Sequence, residues 1–281
     1  MTADWIAIDR TEGRLHAWAL GEAGILAETA GRPADAPLNL IAAWLPEGRV
    51  TPVIVGGSPE APLRAVPCPP LGPLVPAPPA DPRVEISLVP GLSQRRPSPD
   101  LTRSGAIRIA GVLALRPGFD GTICLAGAHS VWAEVSAGEV VSFRGFLTGE
   151  LDALLATRST LRDALRSEGF DDAAFDAAVA DAIARPEALA ARLHGLRAEA
   201  LLDDLPPDAA RARLSGLLIG AELAAARPWW LGREVVILGD EPRTRLYIRA
   251  LATLGVEPDC LAESDATLAG FIAARALLRG E

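Results

Sequence analysis

Residues 214–222 read Leu-Ser-Gly-Leu-Leu-Ile-Gly-Ala-Glu, and this stretch sets the architecture of the second half of the chain. Leu214, Leu217, Leu218 and Ala221 recur at i, i+3, i+4 and i+7, the spacing of an apolar stripe along one face of a helix. Gly216 and Gly220 interrupt that helix on one side. Each glycine costs about 1 kcal/mol against alanine in a helix interior. The stripe already supplies the core contacts, so the pair is expected to let another backbone come very close. Two readings of that approach stand: tight packing of the helix on a sheet, or a helix that walls a ligand cleft.

Working outward, three strand patterns at 121–126, 129–135 and 138–146 precede the helical region. Thr148 reads as an N-cap before Gly149-Glu150-Leu151-Asp152, with acidic residues in the first turn where they suit the helix dipole. Helices then run to Arg227, and 170–200, rich in Ala, Asp and Arg with weak periodicity, reads as a solvent-facing helical pair. A strand at 234–238, a tight turn at Gly239 and helices at 243–254 and 266–278 close the chain. In the first half, a strand at 5–8 ends in Asp9, and a turn at 10–14 leads to a strand at 15–20. A helix at 36–45, strands at 52–55 and 84–89 and a helix at 101–115 follow. Between them, recurring prolines at 59–82 leave an extended surface segment. Strands, then helices, then a strand-turn-helix unit predict two α/β lobes. The expected division is 1–115, with the Pro-rich segment 59–82, and 116–281, whose last helix is free to pack back toward the N-terminal lobe.

At 281 residues and 49% hydrophobic, the chain can bury a large core in one big domain or two ordinary ones. A net charge of −9, with basic residues scattered among acids, argues against nucleic acid as a partner, because phosphate binding needs concentrated Lys and Arg. Cys68, Cys124 and Cys260 are odd in number, far apart and without Cys-x-x-Cys spacing. Neither a disulfide framework nor a zinc site is indicated, and a reducing cytoplasm is expected. The first residues enter a strand pattern directly and no run approaches the length of a membrane span. A soluble, untargeted, cytoplasmic protein with no membrane partner is therefore expected, with the oligomeric state open.

Four segments carry a resemblance: Leu-Ser-Gly-Leu-Leu-Ile-Gly-Ala-Glu at 214–222, Phe-Arg-Gly-Phe-Leu-Thr-Gly-Glu-Leu at 143–151, Val-Pro-Gly-Leu at 89–92 and Gly-Ala-His-Ser-Val-Trp at 127–132. Together they resemble the 2-dehydro-3-deoxygalactonokinase family, and the similarity runs in order from Ile6 to about Gly270. That family belongs to the actin-like, hexokinase-like ATPase superfamily. The resemblance implies a two-lobed α/β actin-like ATPase (ribonuclease H-like) sugar-kinase fold. Its cleft between lobes would be walled by the turns at 10–14 and 127–130 and by the helix at Gly216 and Gly220. It also implies transfer of the γ-phosphate of ATP, with Mg²⁺, to the 6-hydroxyl of 2-dehydro-3-deoxy-D-galactonate, so that the partner is a small-molecule sugar acid.

The resemblance assigns roles position by position. Asp9 holds the metal ion and serves catalysis, and Thr11 and Gly13 belong to the phosphate-facing turn. The family pattern there is Asp followed by Gly-Thr-Thr, whereas this chain has Arg10, Thr11, Glu12, Gly13 and Arg14. If Glu12 pointed inward at about 5 Å from a phosphate, repulsion at an effective dielectric of ~20 would be roughly 3 kcal/mol, about a hundredfold in affinity. Arg10 and Arg14 can offset it through bidentate phosphate contacts. From the residues alone, the same turn is an ordinary solvated hairpin turn. Gly127, His129, Ser130 and Trp132 match the family's Gly-Thr-His-Ser-Lys-Trp, while Ala128 and Val131 replace a hydroxyl and a cation. Gly127, His129 and Ser130 are assigned to the phosphate path, Gly216 and Gly239 to the nucleotide, and Ser58, Trp132 and Thr148 to the substrate side. His129 is equally a hydrogen-bonded structural histidine, Thr148 a cap and Gly239 a plain strand-to-helix turn.

Arg103 is assigned to a phosphate or the substrate carboxylate, and Glu150 to the cleft. Arg103-Ser104-Gly105-Ala106 aligns with Arg-Gly-Glu-Glu, so no acid stands at 104–107, and general-base help is commonly worth about 10²- to 10⁴-fold. Asp100, the nearest acid, reads as well as an N-cap for the helix near Leu101. The family's Gly-Ser-Arg-Gln-Gly-Trp loop is shortened to Gly57-Ser58 running into Pro59. Two function classes follow: an ATP-dependent sugar-acid kinase, or a catalytically impaired paralogue that binds a sugar acid or nucleotide in a regulatory role.

Overall fold

A computed structural model describes residues 3–11, 13–32, 34–78 and 81–280. Strand β1 (Trp5–Arg10) turns into β2 (Leu15–Gly21), which folds back as β3 (Gly24–Gly31). After α1 (Pro37–Ile41), β4 (Thr51–Gly56) joins β1 in parallel, from Ile6↔Val53 to Asp9↔Gly56. The apolar run of β1 is buried from Trp5 to Asp9, as a strand covered on both faces requires. The Pro-rich segment contributes the short strands β5 (Leu63–Ala65) and β6 (Val75–Ala77). It is followed by β7 (Val84–Leu88), β8 (Gly91–Gln94), β9 (Asp100–Thr102) and α2 (Gly105–Leu115). One sheet is ordered β3-β2-β1-β4-β7-β6 and another β5-β8-β9.

The helix expected from 101 thus starts four residues later. Residues 100–102 pair antiparallel with β8, Leu92 opposite Thr102, so Asp100 lies in a strand and not at a helix cap. The Gly105 N–H donates to Thr102 Oγ1 at 3.2 Å.

The chain continues through β10 (Gly121–Ala126), β11 (Ser130–Ser136) and β12 (Glu139–Phe146). Then come α3 (Thr148–Arg158), α4 (Asp172–Ala184), α5 (Leu189–Leu202), α6 (Pro207–Ala225) and α7 (Arg227–Trp230). Strand β13 (Val235–Gly239), α8 (Arg243–Ala252), β14 (Asp259–Ala262) and α9 (Glu263–Arg279) complete it. Their sheet is ordered β12-β11-β10-β13-β14, with β10 and β13 parallel.

Two compact units result. The first comprises Met1–Asp120, Glu134–Phe143 and Leu261–Glu281, and the second Gly121–Ala133 and Arg144–Cys260. In the first, α9 packs along α2 so closely that a Cβ on Gly111 would meet Ala266 O at 1.6 Å, and one on Gly270 would meet Ile107 O at 2.0 Å. Strand β12 is tied to β8 by Gln94, which donates to Phe143 O at 3.1 Å and accepts from its N–H at 3.0 Å. Cys68 and Cys124 are buried free thiols and Cys260 is an exposed one. Among the described residues, no helix is long and apolar enough to cross a membrane.

In the second unit, α6 packs chiefly on α4. A Cβ on Gly216 would meet Phe175 O at 2.6 Å and Ala178 Cβ at 2.9 Å, and one on Gly220 would meet Val179 O at 2.7 Å and Ala182 Cβ at 2.9 Å. The close backbone approach is therefore helix on helix, not helix on sheet. The glycine face is occupied by α4, so Gly216 is a packing position and its spacing does not mark a nucleotide contact. The expectation of a solvent-facing pair at 170–200 is corrected for α4 and not for α5, which buries only Leu196. Helix α4 buries Phe175, Ala178, Val179 and Ala182, and alanines at an interface leave little hydropathy period to read.

Candidate active site

In open α/β sheets, ligands lie beyond the carboxyl ends of the strands. In the second unit, three connections gather at the carboxyl ends of β10 and β13. The β10–β11 turn docks on the start of α3, where Glu150 N–H donates to Ala128 O at 2.9 Å. A Cβ on Gly149 would meet Gly127 O at 2.5 Å, so glycine is what lets the turn sit on the helix. Gly239 ends β13 opposite Ala126, and a Cβ there would meet Ala126 O at 2.5 Å. Gly127, Gly149 and Gly239 thus bring the three connections together.

Thr148 is the first residue of α3 and not its cap: Leu147 holds the cap position without a side-chain bond. The Thr148 hydroxyl bonds to Glu222. Glu222 ends the 214–222 stretch, and nothing in its local spacing marks it as a site residue. Its carboxylate is almost fully buried on α6, accepting from Trp132 Nε1 at 2.7 Å and from the Tyr247 hydroxyl at 2.7 Å. Burial pushes its carboxyl above the usual carboxylate range, against the donors Thr148, Trp132 and Tyr247, which hold it down. Burial and the neighbouring Glu222 charge push the Tyr247 phenol well up. One buried acid thereby joins β11, α3, α6 and α8.

In front of this network lies a pocket of about 450 Å³, part of it open solvent, lined by Thr148, Gly149, Asp152, Arg211, Ser215 and Arg243, with an apolar wall of Leu218, Ile219 and Leu246. Asp152 accepts from Arg211 Nη2 at 2.6 Å, from Arg211 Nη1 at 2.9 Å and from Ser215 Oγ at 2.9 Å. Beside it, His129 Nε2 and Glu150 Oε2 are 2.7 Å apart, both partly exposed.

The assigned residues of the second unit therefore separate into two groups. Gly127, His129, Thr148, Glu150 and Gly239 cluster on the three connections. Trp132 and Ser130 are fully buried, and Trp132 spends its one donor on Glu222, so Trp132 does not face a substrate. Asp152, Arg211, Ser215 and Arg243 were not identified from sequence. An Arg-x-x-x-Ser pair one turn apart on α6 was the legible signal for two of them.

In the first unit, Asp9 ends β1 beside Gly56 of β4. It is 1% exposed, and both its oxygens are engaged by Arg108, Nη2 to Oδ2 at 2.7 Å and Nη1 to Oδ1 at 3.3 Å. Arg108 Nε donates to Glu263 Oε1 at 2.7 Å. The carboxylate expected beside a metal ion is thus engaged by a guanidinium. Thr11 closes its own turn, its hydroxyl donating to Arg14 O at 3.2 Å and accepting from Arg14 N at 3.0 Å. Gly13 has open space where a Cβ would stand, and Glu12 lies outside the described residues. Arg103 Nη1 donates to Ala61 O at 2.9 Å and Ser58 O at 3.4 Å, holding the shortened loop. Ser58 is buried, its Oγ accepting from Glu60 N at 3.3 Å.

Residues 5–274 match the family described as 2-keto-3-deoxy-galactonokinase. A protein of Rhizobium meliloti (strain 1021) named as a probable 2-dehydro-3-deoxygalactonokinase is 34% identical over 196 residues, 68% of this chain and 64% of that protein, so the match spans just under two thirds of this relative's length. The 2-dehydro-3-deoxygalactonokinase of Escherichia coli (strain K12) is 27% identical over 96% of this chain and 97% of its own. The crystal structure of a 2-dehydro-3-deoxygalactonokinase candidate from Sinorhizobium meliloti superposes with a TM-score of 0.87 at 28% identity, covering 98% of this chain and 99% of that one. The sugar-kinase α/β fold expected from the sequence is the fold this chain adopts, and the chain belongs to the 2-keto-3-deoxy-galactonokinase family.

Proposed function

We infer that the chain is an ATP-dependent kinase that phosphorylates the 6-hydroxyl of 2-dehydro-3-deoxy-D-galactonate, with the nucleotide in the pocket of the second unit. The observation that carries this reading is the family match over 5–274, joined to a pocket with a cationic end and an apolar wall at the carboxyl ends of β10 and β13. The apolar wall suits a base and ribose. Nothing in the described residues favours the non-catalytic paralogue. A cytoplasmic setting with three free thiols belongs to the same reading.

Phosphoryl transfer asks the protein chiefly for positioning and charge stabilisation. The bond between the γ-phosphorus and its bridging oxygen breaks as one to the sugar oxygen forms, and the hydroxyl proton needs an acceptor. We assign that proton to Glu150, whose Oε2 lies 2.7 Å from His129 Nε2 beside the pocket. Among the described residues, no group of three or more His, Cys, Asp or Glu could hold a metal ion, and Asp9 is engaged by Arg108. Mg²⁺ commonly binds through phosphates and water with few carboxylates, so it enters with the ATP phosphates, and no step is assigned to it at Asp9.

A coupled assay for ADP release, run with 2-dehydro-3-deoxy-D-galactonate, tests the reading. Glu150→Gln is expected to lower kcat by roughly 10²-fold or more while ATP affinity holds. Full turnover in that variant would remove Glu150 from the chemistry.

A further inference from the structure

We propose that Arg243 holds an anionic group of the ligand in the pocket of the second unit, namely a phosphoryl group of the nucleotide. The proposal rests on the kinase reading above and adds to it the residue that distinguishes a nucleotide from a nucleoside.

Three charged side chains line the pocket, Asp152, Arg211 and Arg243. Asp152 is consumed by Arg211 and Ser215. That leaves Arg243, half-buried and, among the described residues, without a hydrogen-bond or ion-pair partner. A half-buried guanidinium with five N–H donors and no protein acceptor among the described residues keeps those donors available to an anion that enters the pocket.

Its position favours an anion further. Arg243 is the first residue of α8, and its guanidinium lies on Gly149, the second residue of α3. A Cβ there would come within 2.2 Å of Nη1. Both helix N-termini carry partial positive charge. A cation set beside them adds to a local field that favours an anion there. The first-turn acid of α3, Glu150, is paired with His129, and Asp152 is paired with Arg211. The planar fork of arginine suits phosphate oxygens in bidentate fashion. The apolar wall of Leu218, Ile219 and Leu246 leaves the remainder of the pocket to an uncharged part of the same ligand.

Calorimetry on the full chain, with ATP, adenosine and the sugar acid as separate ligands, tests the proposal. The unaltered protein should bind ATP more tightly than adenosine. Arg243→Ala should lower ATP affinity by roughly 10-fold or more, the scale of a charge-assisted hydrogen bond, leave adenosine affinity within about twofold, and erase most of the preference. Arg243→Lys should fall between. Arg243→Gln, which keeps the side-chain stem over Gly149, should repeat the loss of preference if the alanine variant folds poorly. Equal losses for ATP and adenosine would make Arg243 a base contact, and a loss confined to the sugar acid would make it a substrate contact. Either result overturns the proposal, as does unchanged ATP binding in all three variants. An unaltered protein that binds no ATP would overturn the kinase reading as well, which separates the two failures.

Discussion

Replacing Gly216 or Gly220 by alanine pits two terms of opposite sign against each other. Alanine gains about 1 kcal/mol of helix propensity over glycine. The added Cβ at 216 would stand 2.6 Å from Phe175 O and 2.9 Å from Ala178 Cβ, and at 220 it would stand 2.7 Å from Val179 O and 2.9 Å from Ala182 Cβ. The obstructing oxygens belong to the α4 backbone and cannot rotate aside, so the helices must separate. Overpacking of this kind costs about 1–3 kcal/mol. With the propensity gain subtracted from the upper part of that range, each variant should lose roughly 1–2 kcal/mol. Gly195 in α5 is the control: its nearest neighbour would be Glu199 Oε1 at 3.7 Å, so Gly195→Ala should gain up to about 1 kcal/mol. Urea midpoints at constant slope measure all three. The reasoning fails if Gly216→Ala and Gly220→Ala are as stable as Gly195→Ala. A loss of ATP affinity in Gly216→Ala at unchanged stability would place that glycine at a ligand after all.

Glu222 gives a prediction with a defined sign in pH. Burial raises its carboxyl above the ordinary 4.5, so the folded state keeps the proton to higher pH than the unfolded chain. Its titration contributes stability that is fully present below about 4.5 and lost as pH rises through the raised value. Glu222→Gln should therefore gain on the parent as pH climbs from 4.5, read as the difference in urea midpoint; a relative loss over that window contradicts the account. Glu222→Ala should cost several kcal/mol, because Trp132 Nε1 and the Tyr247 hydroxyl are left buried without an acceptor, at about 1–3 kcal/mol each. Asp9→Ala should lose roughly 3 kcal/mol by depriving buried Arg108 of a partner, and Arg108→Met in the same chain should restore part of it. If Asp9 were instead a metal ligand, Asp9→Asn would raise the Mg²⁺ needed for half-maximal turnover with little change in unfolding.

What the sequence made legible was what local pattern controls. The buried run of β1, the hairpin strands from 121 to 146 and the paired glycines of α6 are all periodicity or spacing signals, and the family resemblance rode on the same segments. The misreadings have a common cause, a tertiary partner outranking a local preference. Thr148 has the chemistry of an N-cap, yet its hydroxyl turns to Glu222, 74 positions away in the chain. Residues 100–102 extend a helical pattern backward, yet they pair with β8. Alanines at 173–184 carry almost no amphipathic signal because an alanine at a helix crossing looks like one in solvent. The site divided in the same way. Gly127, His129, Glu150 and Gly239 stand in recognisable turns, whereas Asp152, Arg211, Ser215 and Arg243 meet only because α3, α6 and α8 pack together. For Asp9 the sequence indicated a buried acid at a strand end but not Arg108, 99 residues on, as its partner.

The most direct test of the account is phosphorus NMR of the reaction of the purified protein with Mg-ATP and 2-dehydro-3-deoxy-D-galactonate. Equal amounts of ADP and of a phosphomonoester coupled to the protons on carbon 6 are expected, formed only when protein, ATP and sugar acid are all present. A folded, ATP-binding protein that yields no phosphomonoester, or one whose phosphoryl group appears elsewhere on the sugar acid, would contradict it.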